Sequence, residues 1–314
     1  MKSDLVFSEL LHKFRKENQL SQNDLIEFFV KEYVELRGLD VVTISRWERN
    51  ATTPSLKRRI YIMSIIHKTF EYFSRSIDNV TLSKNNKISL MLKKRFPEIQ
   101  EQSLNAFLLK NNKLSFNSCT YLDIPEIIYN YIYHFEGAEL LDLRSKNNKI
   151  IYLTNSNNII EGFFTFIMTK DITYKELHIK KPIVSFLSSQ LATDSSDKSV
   201  FCCLLNLNKN AFDITYLSLY VFLLENDFID NMYFMVQDKS FVKFAQSLDM
   251  EIKFTYQTPM MKNKRIDNTV IFKISRIDFL AKKDIYEYFS YRYKELIKNS
   301  PSLINEIREN IINY

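Results

Sequence analysis

Apolar residues recur at helical spacing through the first quarter of the chain, in LVFSELLHKFRKE, LSQNDLIEFFVKEYVELRG, VVTISRWER and PSLKRRIYIMSIIHKTFEYF. That period turns one face of an α-helix inward, so residues 5–75 are expected to hold helices only. Polar residues mark the ends. Ser21 with Asp24 three positions later has the spacing of a capping box, which would start a helix at Gln22. Asp40 can cap the next helix. Asn50 to Thr53 form a polar turn, and Pro54 suits the first position of the helix that follows. Residues 76–113 are rich in Asn and Lys at their edges, with two short helical patterns around Phe96-Pro97, and read as a helical connector.

From Leu114 the pattern changes. KIIYLTN, IIEGFFTFIMT, SVFCCLLNLN, NMYFMVQ, EIKFTYQ and NTVIFKIS concentrate β-branched and aromatic residues and read as strands. TNSNN between the first two is a hairpin signal. LDIPEIIYNYIYHF, DITYLSLYVFLLEN and KSFVKFAQSL are helical patterns set among them, an order that predicts a mixed α/β domain. The tail from Phe279 to Tyr314 is helical again, with a break near Ser300-Pro301. Its Ile285, Phe289, Tyr293 and Ile297 recur every four residues, a stripe that either pairs two copies or folds back on its own domain. The expected fold class is α + α/β: an all-α domain over 1–75, the connector, an α/β domain over 114–280, and a helical tail over 281–314.

With 314 residues and 46% of them hydrophobic, the chain can bury the cores of two domains. The formal net charge of +6 is mild, but its distribution is uneven. Arg46, Arg49, Lys57, Arg58, Arg59 and Lys68 crowd residues 41–70 against the single acid Glu48. Only three glycines occur, Gly38, Gly137 and Gly162. A P-loop or a dinucleotide fingerprint needs several in one loop, so both are excluded. Three cysteines (Cys119, Cys202 and Cys203) without framework spacing suit a reducing cytoplasm, bacterial or phage-type. No apolar run is long enough to span a membrane, so no membrane partner is expected. His12, His67, His134 and His178 lack metal-binding spacing, and neither a metal site nor a catalytic residue is assigned.

FRKENQLSQNDL and GLDVVTISRWERNATTPS resemble the phage repressor/Cro (XRE) family of helix-turn-helix domains. The order of elements, the turn glycine and the Trp-Glu pair of TISRWE carry the likeness. It implies a sequence-specific transcriptional regulator that binds double-stranded DNA through the helix beginning at Val41. On that helix Ile44, Trp47 and Val41 should turn inward, leaving Val42, Thr43, Ser45, Arg46 and Arg49 for the groove. The resemblance places Gln22 on a phosphate or base, Asn50 and Thr52 on the DNA backbone, and pairs Glu48 with the helix-1 arginine, Arg15. Lys57, Arg58 and Arg59 fall on the following helix and suit either a solvated face or a phosphate clamp. Sixteen residues separate Ser21 from Gly38, about twice the family spacing. That excess would lengthen the second helix by about two turns and rotate its far end by roughly 80°. A homodimer is expected, because one short helix reads few base pairs.

SFNSCTYLDIPEIIYNYIYHF and KIIYLTNSNNIIEGFFTFIMT, with Gly162 on the second strand, resemble the opening of the GNAT N-acetyltransferase fold, and the later elements follow its order. The family's glycine-rich pyrophosphate loop is replaced by NKNAFDIT, where Phe212 would block and Asp213 repel a phosphate. Ala245 and Asp249 stand where the family often has a tyrosine acid and a glycine. The domain is therefore expected to be non-catalytic and without a cofactor, serving ligand sensing or dimerisation. A cleft lined by strands 201–207 and 232–237 would suit an apolar or aromatic small molecule. The alternatives are a DNA-tethered acetyltransferase, or a peptide-sensing regulator with a helical-repeat C-terminal domain.

Overall fold

The computed structural model describes residues 2–96, 114–120, 123–130, 149–169, 198–236, 239–259 and 266–312. The helical head comprises α1 (Lys2–Glu17), α2 (Gln22–Glu32), α3 (Val41–Glu48), α4 (Leu56–Ile65) and α5 (Thr69–Ser76), followed by α6 (Lys87–Arg95). Ser21 starts α2 as a full capping box: its hydroxyl accepts from Asp24 N at 3.1 Å and its own N–H donates to Asp24 at 2.8 Å. Phe7, Leu10, Leu11, Leu25, Phe29, Ile44 and Trp47 all turn inward and are buried. Phe7 meets the Trp47 ring edge-on at 6.1 Å. Each fully buried Leu, Ile or Phe side chain contributes roughly 1.5–3 kcal/mol.

Two expectations fail here for local reasons. The long spacing before Gly38 does not extend α2. Tyr33 leaves the helix with φ −134° and ψ 106°, a 3-10 turn follows at Val34–Leu36, and Gly38 swings the chain at φ +89°. Leu36, fully buried, anchors this insert. Pro54 does not open α4 either. It lies just before the helix and is buried, and Ser55 is the cap, accepting from Arg58 N.

A seven-stranded sheet follows, ordered β1-β2-β3-β4-β5-β7-β6. Its strands are β1 (Ser115–Thr120), β2 (Lys149–Thr154), β3 (Ile160–Thr169), β4 (Ser199–Asn206), β5 (Asn231–Val236), β6 (Glu251–Pro259) and β7 (Ile266–Ser275). All neighbours are antiparallel except β4 and β5. A parallel pair needs a crossover, supplied by α7 (Lys209–Glu225). The β2–β3 hairpin turns on Asn155, whose N–H donates to Ile159 O at 3.0 Å. Helix α8 (Lys239–Ser247) connects β5 to β6. The chain closes with α9 (Arg276–Ala281), α10 (Lys283–Asn299) and α11 (Pro301–Ile312), and the break between the last two falls at Ser300-Pro301. The second connector helix, beyond Phe96, and most of the DIPEIIYNYIYHF pattern lie outside the described residues.

Head and sheet share one continuous apolar core. Phe73 on α5 packs against Tyr220 of α7 at 5.4 Å and Tyr293 of α10 at 5.3 Å. Inside this joint lies a charge pair. Arg276, 1% exposed, donates to Asp227 at 2.7 and 3.0 Å and to Leu223 O at 3.1 Å. The head answers with Ser64, whose hydroxyl accepts from Arg276, and Thr69, which donates to Asp227 at 2.8 Å. The tail stripe also turns inward: Ile285, Phe289 and Tyr293 are buried. Only Ile297 remains out, 44% exposed, so that stripe is not a free pairing surface.

Candidate nucleic-acid interface and the sheet cleft

Helix α3 is held from behind by one carboxylate. Glu48 accepts from Arg15 Nε at 2.5 Å, from Arg15 Nη2 at 3.0 Å and from Gln22 Nε2 at 2.7 Å. Arg15 also donates to Leu20 O at 3.1 Å. One acid thus ties α1 and the start of α2 to the end of α3. Burial pushes the Glu48 carboxyl up, and the hydrogen bonds from Arg15 and Gln22 together outweigh it, leaving it below its ordinary value. The expected Arg15–Glu48 pair is present in this geometry. Gln22 lies at the first position of α2, and its amide N–H is spent on Glu48.

The opposite face is open. Asp40 caps α3, accepting from Thr43 N at 2.6 Å. Val42 is 55% exposed, Arg46 and Arg49 are exposed, and Thr43 and Ser45 are half-buried beside them. Among the described residues neither arginine forms an ion pair; Arg49 only donates back to Ser45 O at 3.2 Å. Asn50 takes the left-handed conformation, φ +54°, and closes the helix, with Thr52 exposed in the loop after it. Val41, expected inside, is exposed: it is the first helical residue, and side chains at a helix start lean off its end. Ile44 and Trp47 alone form the inward face of α3.

The basic residues of α4 are occupied within the molecule. Lys57 pairs with Asp278 at 2.6 Å, and Arg59 with Asp4 at 2.7 Å. The Arg58 guanidinium lies over the Trp47 ring at 5.5 Å. These contacts hold the head to α9 and close its own core. They leave Arg46 and Arg49 as the cations α3 presents to solvent.

In the sheet, β4 and β5 pair only from Ser199↔Asn231 to Cys202↔Phe234, and both strands then run on. The start of α7 lies beside this opening. Asn208 caps it, accepting from Ala211 N at 2.9 Å and donating to Glu161 at 2.6 Å. Gly162 lets the first turn rest on β3, since a Cβ there would meet Leu205 O at 2.9 Å and Ala211 Cβ at 3.1 Å. Phe212 and Asp213 are each 1% exposed. Phe212 stacks on Tyr216 at 4.2 Å. Asp213 accepts from Lys209 at 2.9 Å, from Arg292 at 2.7 Å and from the Tyr288 hydroxyl. Burial, then the nearby Asp213 charge, push the Tyr288 phenol up, so it acts as the donor.

The apolar space near this opening is small, about 30 Å³. Phe234 and Val236 of β5 line it, but most of its wall is helical, from Phe212 and Tyr216 to Phe241 and Phe244. Strand β4 takes no part, contrary to the expected lining. Cys202 is buried, which pushes its thiol up and makes it a poor nucleophile. Among the described residues no His, Cys, Asp and Glu group could hold a metal, and no helix is long and apolar enough to cross a membrane. His134 and His178 lie outside the described residues. Sequence reasoning missed the Asp213 cluster and the Asp227–Arg276 pair. Their members are scattered from Ser64 to Arg292; only Lys209 and Asp213, and Tyr288 and Arg292, keep a helical spacing of four, and nothing local joins the two pairs.

No family model and no curated protein matches the chain. Solved structures match about half of it. A spermidine N-acetyltransferase from Vibrio cholerae is 12% identical with a TM-score of 0.32, covering 54% of this chain and 98% of its own. An acetyltransferase of the GNAT family from Streptococcus pneumoniae is 10% identical, TM-score 0.31, over 52% and 99%. An N-acetyltransferase from Staphylococcus aureus Mu50 is 9% identical, TM-score 0.31, over 52% and 99%. The likeness concerns a GNAT-like fold across about half of the chain. These neighbours are acetyltransferases, and the expectation that this chain is no enzyme is withdrawn. Its physical ground also fails: Asp213 is buried and already neutralised, and Phe212 is stacked inside the core, so neither is free to repel or block an anion at the helix start.

Proposed function

We propose that the protein is a sequence-specific DNA-binding transcriptional regulator with a helix-turn-helix head of the XRE type. The observation that carries this reading is the division of α3. Ile44, Trp47 and Glu48 lock one side to α1 and α2, while Val42, Thr43, Ser45, Arg46 and Arg49 form a short, open, cationic face. Apolar and small polar groups there suit thymine methyls and base edges, and the two arginines suit guanine or phosphate. Asn50 and Thr52 would meet the DNA backbone beside them. The GNAT-like domain would serve as a sensing or pairing module, in a homodimer whose contact lies elsewhere than the buried tail stripe. Among the described residues, the seven-stranded sheet weighs against a helical-repeat domain for peptide sensing. The test is a gel shift at matched salt against sequences selected from a random pool. Arg46→Ala and Arg49→Ala should each weaken specific binding by about 1–3 kcal/mol without unfolding the chain. Unchanged affinity in both variants would count against groove insertion.

The parting of β4 and β5 beyond Cys202 and Phe234 favours a second reading, in which a DNA-tethered domain performs acyl transfer at that opening. Calorimetry with acetyl-CoA separates the two. Micromolar binding would support acyl transfer, and its absence would leave the regulator alone.

A further inference from the structure

The joint between head and sheet domain holds an open cleft of about 380 Å³. It lies away from both α3 and the opening between β4 and β5. The α4–α5 turn and the start of α5 form one wall, with His67, Lys68 and Phe70. The end of α7 and the segment after it form the other, with Glu225, Asp227 and Phe228. This volume is that of a small-molecule site.

The chemistry at its base is asymmetric. Asp227 Oδ1 receives three hydrogen bonds, two from Arg276 and one from Thr69. Oδ2 receives none among the described residues; the His67 ring lies 3.5 Å from it, on a side chain that is 81% exposed. A carboxylate oxygen with acceptor capacity left thus faces the cleft. The walls are aromatic. Phe228, 54% exposed, lines the cleft. Phe70 is backed by the Arg308 guanidinium at 4.4 Å, and Arg308 in turn pairs with Glu225 at 2.8 Å.

We propose that this cleft binds a small organic amine in its ammonium form. The ammonium donates to Asp227 Oδ2, displacing the His67 ring, and its apolar body packs between Phe70 and Phe228. An anion is disfavoured, because the cations around the cleft are already answered: Lys68 by Glu71, Arg276 by Asp227 and Arg308 by Glu225. A neutral hydroxyl could donate to Oδ2 only without the charge assistance of an ammonium, and so more weakly. The site is independent of the DNA reading. It bridges head and sheet domain, so occupancy would tighten their joint.

The experiment titrates the full chain with 2-phenylethylammonium, 2-phenylethanol and 3-phenylpropionate, following backbone amide resonances. The ammonium probe is expected to shift residues 67–71 and 224–228 saturably. The alcohol should bind at least about ten-fold more weakly, and the carboxylate should leave these resonances in place. Phe228→Ala, at an exposed position, should weaken the ammonium probe about ten-fold with an unchanged melting temperature. No saturable shift with the ammonium probe, equal binding of the carboxylate, or shifts that map elsewhere would overturn the proposal. So would undiminished binding to Phe228→Ala. The three-probe series on the unaltered chain decides the matter even if that variant folds poorly.

Discussion

Helices α3 and α7 begin alike and end in opposite uses. Each has a short polar cap, Asp40 on one and Asn208 on the other. Each carries a carboxylate answered by arginine from a distant element, Glu48 by Arg15 and Asp213 by Arg292. Yet 13 of the 17 residues of α7 are buried, whereas α3 buries Ile44 and Trp47 and keeps a whole face open. The difference shows where charge remains available. On α7 the carboxylate is consumed by three donors and serves the core. On α3 the anchoring charge lies behind the helix, and the two arginines in front are left for a partner.

This contrast can be broken at graded positions. The largest effect is expected from Asp213→Ala, which strands the Tyr288 hydroxyl and leaves Lys209 and Arg292 without their acceptor. Urea unfolding should register a loss of about 3–5 kcal/mol, toward the lower figure because both cations reach solvent. A loss below about 1 kcal/mol would mean that α7 does not depend on its buried charge. Glu48→Gln should cost about 2–3 kcal/mol at neutral pH, by replacing a carboxylate that accepts three hydrogen bonds with an amide. The same residue fixes a pH dependence. The folded Glu48 carboxyl sits below its ordinary value of 4.5. Its stabilisation is therefore complete above that pH and is lost as pH falls through the folded value. Glu48→Gln should flatten the acid limb of the stability curve, and an unaltered limb would assign it to other groups.

Asp40→Ala removes a cap alone, and a decrease of about 1 kcal/mol is expected in thermal melts of the full chain. The smallest effect belongs to Ile297→Ser. As the one exposed member of the tail stripe, it should change stability by less than about 0.5 kcal/mol and leave the sedimentation coefficient unaltered. A shift toward monomer would restore the tail as a pairing surface.

Periodicity revealed most of the architecture because the relevant signals are local. The Ser21–Asp24 box, the Asp40 cap, the Asn155 turn and the Ser300-Pro301 break are each legible within a few residues. The insert after Glu32 was not. EFFVKEYVEL keeps a helical period, and only the packing of Leu36 draws the chain out of helix at Tyr33. Asp213 was placed on the correct helix and assigned the wrong direction, because its partners Tyr288 and Arg292 lie more than seventy positions away. A separation of 49 positions hid Asp227 and Arg276 in the same way. A buried charge cannot be recognised from sequence until its partner is known, and these partners come together only through the fold.

The Asp227–Arg276 joint, gripped by Ser64 and Thr69, leaves the head without a hinge of its own. Two copies paired through their sheet domains would hold their α3 helices at one fixed separation. Such a pair would read two half-sites at a single spacing, about 34–36 Å or a multiple of it along the duplex. Inserting about five base pairs between the half-sites turns one of them to the far side of the DNA. A reader on a flexible tether could follow that rotation. On the DNA-binding proposal, a pair of this protein would lose half of its operator.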